Sequence, residues 1–165
     1  MTPSQRLTLA IEVSRAALMF ARAGGVVDVP STFEPAALFA ALDSAGVGYV
    51  IIGGLAGAAH GVVRASADID LVVQPGPTSL AALSSLGIRA DQMIRTRWGD
   101  VHVHDDLSFL QLRENALVVS FGDTDAMICS LTDFRSMKVS RGRPRDLIDV
   151  AELDELHATT EDRSK

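Results

Sequence analysis

Residues 49–73, YVIIGGLAGAAHGVVRASADIDLVV, decide how the chain folds. Two β-branched apolar runs, Tyr49–Ile52 and Ile69–Val73, bracket a segment of small, glycine-rich residues. Side chains alternate between the faces of a strand, so Asp68 and Asp70 share one face while Ile69 takes the other. Carboxylates that close repel, and each raises the other's pKa. A sheet edge tolerates the pair mainly when a cation sits between them. Oxygen donors suit a hard ion, and Mg2+ is typically held by one or two carboxylates plus substrate phosphates. Upstream, Gly53-Gly54 follows the first strand and precedes an expected short helix, Leu55–His60. Glycine lets a backbone approach a phosphate, and a helix amino terminus favours negative charge. A phosphate cradle with a carboxylate pair one strand later makes a plausible metal–nucleotide site.

This arrangement resembles the nucleotidyltransferase superfamily, whose fold is shared with the palm of DNA polymerase β. Its signature is a Gly-Gly or Gly-Ser turn followed, after a connecting segment, by Asp-x-Asp in an apolar strand. Here those positions are Gly53, Gly54, Asp68 and Asp70. The fuller pattern G-G-x-A…H-G-x-x-R-x-S-x-D-I-D-L is similar to the AbiEii/MenT-like bacterial branch, many of whose members are toxins of toxin–antitoxin pairs. The resemblance implies an α/β (α+β) fold: a small mixed, twisted sheet with helices packed mainly on one face, an N-terminal helical extension and a C-terminal helical pair. It also implies Mg2+-dependent (or Mn2+-dependent) transfer of a nucleoside monophosphate from a nucleoside triphosphate, releasing pyrophosphate. Asp68 and Asp70 would hold the metals, and Gly53 and Gly54 would receive the triphosphate.

One position departs from the pattern. The superfamily carries a third carboxylate on the next strand, in an apolar–Asp–apolar setting. The matching strand here is Val101-His102-Val103. Either Asp100 or Asp105 supplies the carboxylate from a shifted register, or two aspartates suffice with His102 as ligand or base, or catalysis is impaired. Neutral histidine ligates divalent metals, but Mg2+ prefers oxygen.

A second pattern, KVSRGRPRDLIDVAEL from Lys138, resembles a C-terminal signature of the same branch. By that resemblance Lys138 contacts the triphosphate, Asp146 orients the lysine or a base, and Arg143 adds positive charge. A lysine so placed stabilises charge on a transferring phosphoryl group. The alternative is a solvated helix end bearing a salt bridge. Arg64 and Ser66, just before the aspartates, either hold phosphate or form a turn that pairs with Asp68. His60 is expected to satisfy carbonyls at a helix end, and Trp98 to serve as core or as a base-stacking platform. Asp149, Glu152, Asp154 and Glu155 read as a solvated helix face.

The chain has 165 residues, enough for one domain with a real core. Its 47% hydrophobic and 22% charged content argues against wholesale disorder. No apolar run is long enough to span a bilayer, the N-terminus reads as no signal peptide, and the single cysteine, Cys129, fits a buried thiol in a reducing cytoplasm. Net charge is −6, yet Arg135, Lys138, Arg141, Arg143 and Arg145 cluster with no acidic residue among them. That patch can meet an RNA backbone.

Residues 4–23 read as a helix, packed on the domain, on a dimer partner or facing an antitoxin. Helices are also expected from Ser31 or Thr32 to Ala45, from Thr78 or Ser79 to Leu86, over Leu131–Val139 with Ser130 or Thr132 as cap, and from Pro144 through Leu156. Strands are expected at Val101–His104 and, joined by a Gly122-Asp123 turn, at Ala116–Phe121 and Asp125–Cys129. Residues 88–97 and 107–112 give no clear reading. The organisation is thus residues 1–30 as N-terminal helix and linker, 31–157 as the nucleotidyltransferase-like domain and 158–165 as a flexible tail. The acceptor implied by the branch is transfer RNA, with an antitoxin protein as partner. Transfer to an aminoglycoside-like small molecule or to a protein hydroxyl is a second enzyme reading. A catalytically impaired binding or regulatory module is the third.

Overall fold

The computed structural model of the protein describes residues 1–162 apart from Val27, Val29, Val63, Gly122 and Asp123, with side chains apart from those of Phe121 and residues 157–162. The turn expected at Gly122-Asp123 therefore lies outside the described residues. In chain order the elements are α1 (Pro3–Ala23), α2 (Pro35–Ser44), β1 (Tyr49–Ile51), α3 (Gly53–His60), β2 (Asp68–Val73), α4 (Pro77–Ser85), β3 (Met93–Thr96), β4 (Gly99–His104), α5 (Phe109–Glu114), β5 (Leu117–Phe121), β6 (Thr124–Ile128), α6 (Leu131–Arg141) and α7 (Pro144–Asp162).

The strands form one six-stranded sheet in the order β3-β4-β2-β1-β6-β5. The central pair β1–β2 is antiparallel, β2–β4 and β1–β6 are parallel, and both outer pairs are antiparallel. This is the mixed, twisted α/β sheet that the sequence implied. Consecutive residues Tyr49, Val50 and Ile51 are all buried although they point to alternate faces, so the centre of the sheet is covered on both sides. On the Tyr49 face, Phe39 of α2 stacks on the tyrosine ring with centroids 5.5 Å apart.

The N-terminal helix is part of this core. Leu7, Ile11 and Leu18 of α1 are buried in the same apolar cluster as the strands. Each fully buried leucine or isoleucine contributes about 1.5–3 kcal/mol. Arg6 fixes the docking by donating from Nε to the Ala59 carbonyl at 2.8 Å.

Helix starts differ from the sequence reading where proline outcompetes a hydroxyl cap. α2 begins at Pro35 with Glu34 as an uncapped N-cap, while Thr32 donates instead to the Arg97 carbonyl. α4 likewise begins at Pro77 after Gly76, not after Thr78 or Ser79. Proline suits the first helical position because its missing N–H would have no partner there anyway. Ser130 does cap α6, accepting from the Asp133 N–H. α7 continues to Asp162, beyond the end expected near Leu156. β3 and α5 occupy the two stretches that gave no clear reading.

Candidate active site

The carboxyl end of β1 and the start of β2 meet at Gly53. Ile52 N–H donates to the Asp70 carbonyl at 3.0 Å, completing the ladder just before α3 begins. Gly53 has φ +63°, and a Cβ there would stand 2.0 Å from Asp70 Oδ2. At Gly54 a Cβ would stand 2.4 Å from Ser66 Oγ. Both glycines are thus demanded by close approach, the first also by its backbone angle. They are not a turn ahead of a helix starting at Leu55, as the sequence suggested, but the first two residues of α3 itself.

The parallel pairing of β2 with β4 sets the rest. Asp68 lies opposite Asp100, Asp70 opposite His102, and Val72 opposite His104. Directly paired residues point to the same face, so His102 stands beside Asp70 and His104 follows on the same side. His104 Nε2 donates to Asp70 Oδ1 at 2.8 Å, and His102 Nδ1 lies 3.6 Å from the same oxygen. The two imidazole centroids are 3.9 Å apart. One ligand atom from each of Asp70, His102 and His104 can be chosen so that all lie within 4.8 Å of one another. Arg141 Nη2 sits 3.5 Å from the other ring nitrogen of His104.

Asp68 flanks this group. Ser66 Oγ donates to its carbonyl at 3.0 Å and to its carboxylate at 3.2 Å. Burial pushes the Asp68 carboxyl above the ordinary carboxylate range, and the neighbouring Asp70 charge pushes it further; Ser66 and Arg64 only partly offset this. A cation between the two carboxylates would relieve that cost.

Asp100, one candidate for the missing carboxylate, is committed elsewhere. Arg95 of β3 grips it in a bidentate pair at 2.9 and 3.0 Å, and Asp28 adds a second partner to the arginine. Asp105 is exposed beyond the strand end. Neither lines the cavity in front of Asp68 and Asp70. The register position of the third carboxylate holds His102, and His104 joins it. The alternation Val-His-Val-His carried that second histidine in plain view, since period two puts both rings on the aspartate face.

A second ionic cluster closes the other wall. Lys138 of α6, only 6% exposed, donates to Asp146 Oδ1 and to Asp149 Oδ2, each at 2.7 Å. Asp149 also pairs with Arg64 at 3.2 Å. The expectation that Asp149 faces solvent is corrected: it is 3% exposed, three residues after Asp146 on the same inward side of α7. Glu152, Asp154 and Glu155 are exposed, as expected of a solvated face. Burial pushes the Asp146 carboxyl up, but the Lys138 hydrogen bond and charge, with Arg141 and Arg143, outweigh it and hold it below the ordinary range. Arg64 pairs with Asp149 rather than with Asp68, and its buried Nε and Asp146 Oδ2 have no hydrogen-bond partner among the described residues.

Between these walls lies a cavity of about 510 Å³. It brings together Gly53, Gly54, Arg64, Ser66, Asp68, Asp70, His102, Lys138, Arg143 and Asp146, all singled out in the sequence. His104, Arg141 and Arg145 also line it. Five cationic side chains face three carboxylates there, a local excess of positive charge in a chain of net charge −6. Arg135 is not part of it, being paired with Asp154. His60 donates from Nε2 to the Cys129 carbonyl at 2.8 Å, at the end of a neighbouring strand rather than on its own helix. Trp98 is buried core with Arg97 over its ring, and burial pushes the Cys129 thiol up to about 12.

No protein-family model matches this chain, and no curated protein matches it in sequence. Among solved structures, an antigenic nucleotidyltransferase-like protein from Paracoccidioides brasiliensis superposes with a TM-score of 0.51 at 17% identity, covering 71% of this chain and 70% of that one. The protein therefore has a nucleotidyltransferase-like fold. No helix among the described residues is long and apolar enough to cross a membrane.

Proposed function

We propose that this chain is a metal-dependent nucleotidyltransferase that moves a nucleoside monophosphate from a nucleoside triphosphate to RNA, with transfer RNA as acceptor. One observation carries the reading: a single cavity joins the α3 amino terminus, the Asp68/Asp70 pair and Lys138 with four arginines. An acceptor oxygen attacks the α-phosphorus, the bond to the bridging oxygen breaks, pyrophosphate leaves, and the acceptor's proton is released. The cationic wall of Arg141, Arg143 and Arg145 neutralises the triphosphate and the departing pyrophosphate. Free N–H groups at the start of α3 meet phosphate oxygens, which approach closely because positions 53 and 54 carry no side chain. Lys138, fixed by Asp146 and Asp149, presents its charge at one invariant place.

Asp68 and Asp70 suit a divalent cation, because their like charges and the raised Asp68 carboxyl are relieved by one. When bound, Mg2+ or Mn2+ supplies charge neutralisation at the reacting phosphate. The branch-like pattern around Gly53–Leu71 and Lys138–Asp149 supports a toxin role in the cytoplasm, with an antitoxin protein as its neutralising partner. The test is incubation with Mg2+ or Mn2+, each labelled nucleoside triphosphate and total RNA. Label on small RNA that disappears with Asp70→Ala supports the reading. Label on the protein, or none, refutes the RNA acceptor.

A further inference from the structure

We propose that Asp70, His102 and His104 form a cation position selective for a divalent transition ion of the Mn2+ to Zn2+ series over Mg2+. This rests on the nucleotidyltransferase reading only for the ion's task. Its observation is the donor set. Two imidazoles and one carboxylate converge from adjacent parallel strands with their ligand atoms within 4.8 Å. Donors on one tetrahedral ion at ~2.0–2.1 Å stand roughly 3.3 Å apart. The two distances measured from Asp70 Oδ1, 2.8 Å to His104 and 3.6 Å to His102, bracket that spacing.

Imidazole nitrogen suits Mn2+, Co2+ and Zn2+ increasingly well, whereas Mg2+ demands oxygen and sheds water reluctantly. The alternative oxygen donor has been withdrawn, because Arg95 occupies both carboxylate oxygens of Asp100. Three protein ligands leave positions for water and substrate. His104 is preset by its burial, and the Asp106 carboxylate lies 3.7 Å from its remote nitrogen, on the side where an Nδ1–H would point once Nε2 ligates. Such outer contacts fix ring orientation in metal sites. His102 is more open at 29% side-chain exposure, so it is the ligand that can be exchanged without disturbing the core. Asp70 is shared: one oxygen faces the histidines, while the other faces Gly53.

The experiment titrates chelator-stripped, tag-free protein with Co2+, without nucleotide. Visible absorption reports nitrogen ligation, and Mg2+ serves as competitor. We expect an imidazole-type Co2+ spectrum that survives roughly hundredfold excess Mg2+. His102→Ala should weaken Co2+ binding by more than the ~10–100-fold typical of losing an outer-shell partner, with an unchanged circular dichroism spectrum. His102→Asp should weaken Co2+ and let Mg2+ displace it. His104→Asn should remove the nitrogen spectrum. Displacement of Co2+ from the unaltered chain by comparable Mg2+, or unchanged Co2+ affinity in both His102 variants, overturns the proposal. Co2+ binding with this signature but no nucleotidyl transfer sustains it while defeating the transferase reading.

Discussion

Two ionic clusters face each other across the same cavity and are built on opposite plans. The α6–α7 wall is internally compensated: Lys138 holds Asp146 and Asp149, and Arg64 completes the charge of Asp149. The β2–β4 wall is not. Among the described residues, the hydrogen-bond and ion-pair partners of the Asp68 and Asp70 carboxylates are a serine and two imidazoles, and Asp68 is held above its ordinary range by burial and by its neighbour. A buried ionic network whose charges balance from within keeps a fixed shape. One left unsatisfied keeps an affinity. In the proposed reading the cationic side is rigid before any ligand arrives and the anionic side is completed by one.

The sharpest way to break the comparison is to remove each wall's central residue. Asp70→Ala should lower transfer by about 10³-fold or more while costing less in urea unfolding than loss of Lys138, since it removes a charge that repels Asp68. Lys138→Met should do the reverse in stability. It takes the ion-pair partner from buried Asp146 and leaves buried Asp149 with Arg64 alone, and a fall of about 3–5 kcal/mol in unfolding free energy is expected. If Lys138→Met unfolds no more easily than Asp70→Ala, the two walls do not differ as described.

A smaller effect tests how tightly the walls are spaced. Gly53→Ala forces a side chain into left-handed backbone, at about 1–2 kcal/mol, and drives its Cβ into Asp70 Oδ2. Metal affinity, followed by calorimetry, should fall by more than that stability loss accounts for. The smallest effect is in pH. Asp146 is depressed, so its stability is fully present above the unfolded carboxylate value of about 3.9 and is lost as pH falls through its lower folded value. Asp68 is raised, so its ionised form costs stability at neutral pH. That cost is relieved as pH falls through the raised folded value toward the unfolded one. In denaturant titrations across the acid range, Asp146→Asn should remove the acid loss and Asp68→Asn the partial gain above it.

How much of this could be read from sequence depended on how local each signal was. Gly53, Asp68 and Asp70 were legible because one strand, one tight helix start and one period-two alternation contain them all. His102 was legible as a departure from pattern, but His104 was passed over although the same alternation carries it. Asp149 was misread because acidic residues at 149, 152, 154 and 155 resemble a wetted stripe. Only the folded helix shows that 149 turns inward with 146 toward Lys138. Asp100 and Arg95 face one another only through the β3–β4 register, and β3, a four-residue strand with alternating exposure, gives no periodic signal of its own.

One contact bears on when the site comes into being. Ser14 of α1 is fully buried; its Oγ donates to the Ala10 carbonyl and accepts the Ser66 N–H at 2.8 Å, across 52 residues of chain. Ser66 in turn donates to Asp68. The aspartate loop is thus moored to the first helix of the chain. Long-range closures of this kind come at an entropic cost and form late. A folding intermediate in which the sheet has paired but α1 has not docked would own every catalytic candidate and still lack their arrangement. During synthesis and refolding, activity should therefore be the last property to appear, arriving with the docking of α1 rather than with the sheet.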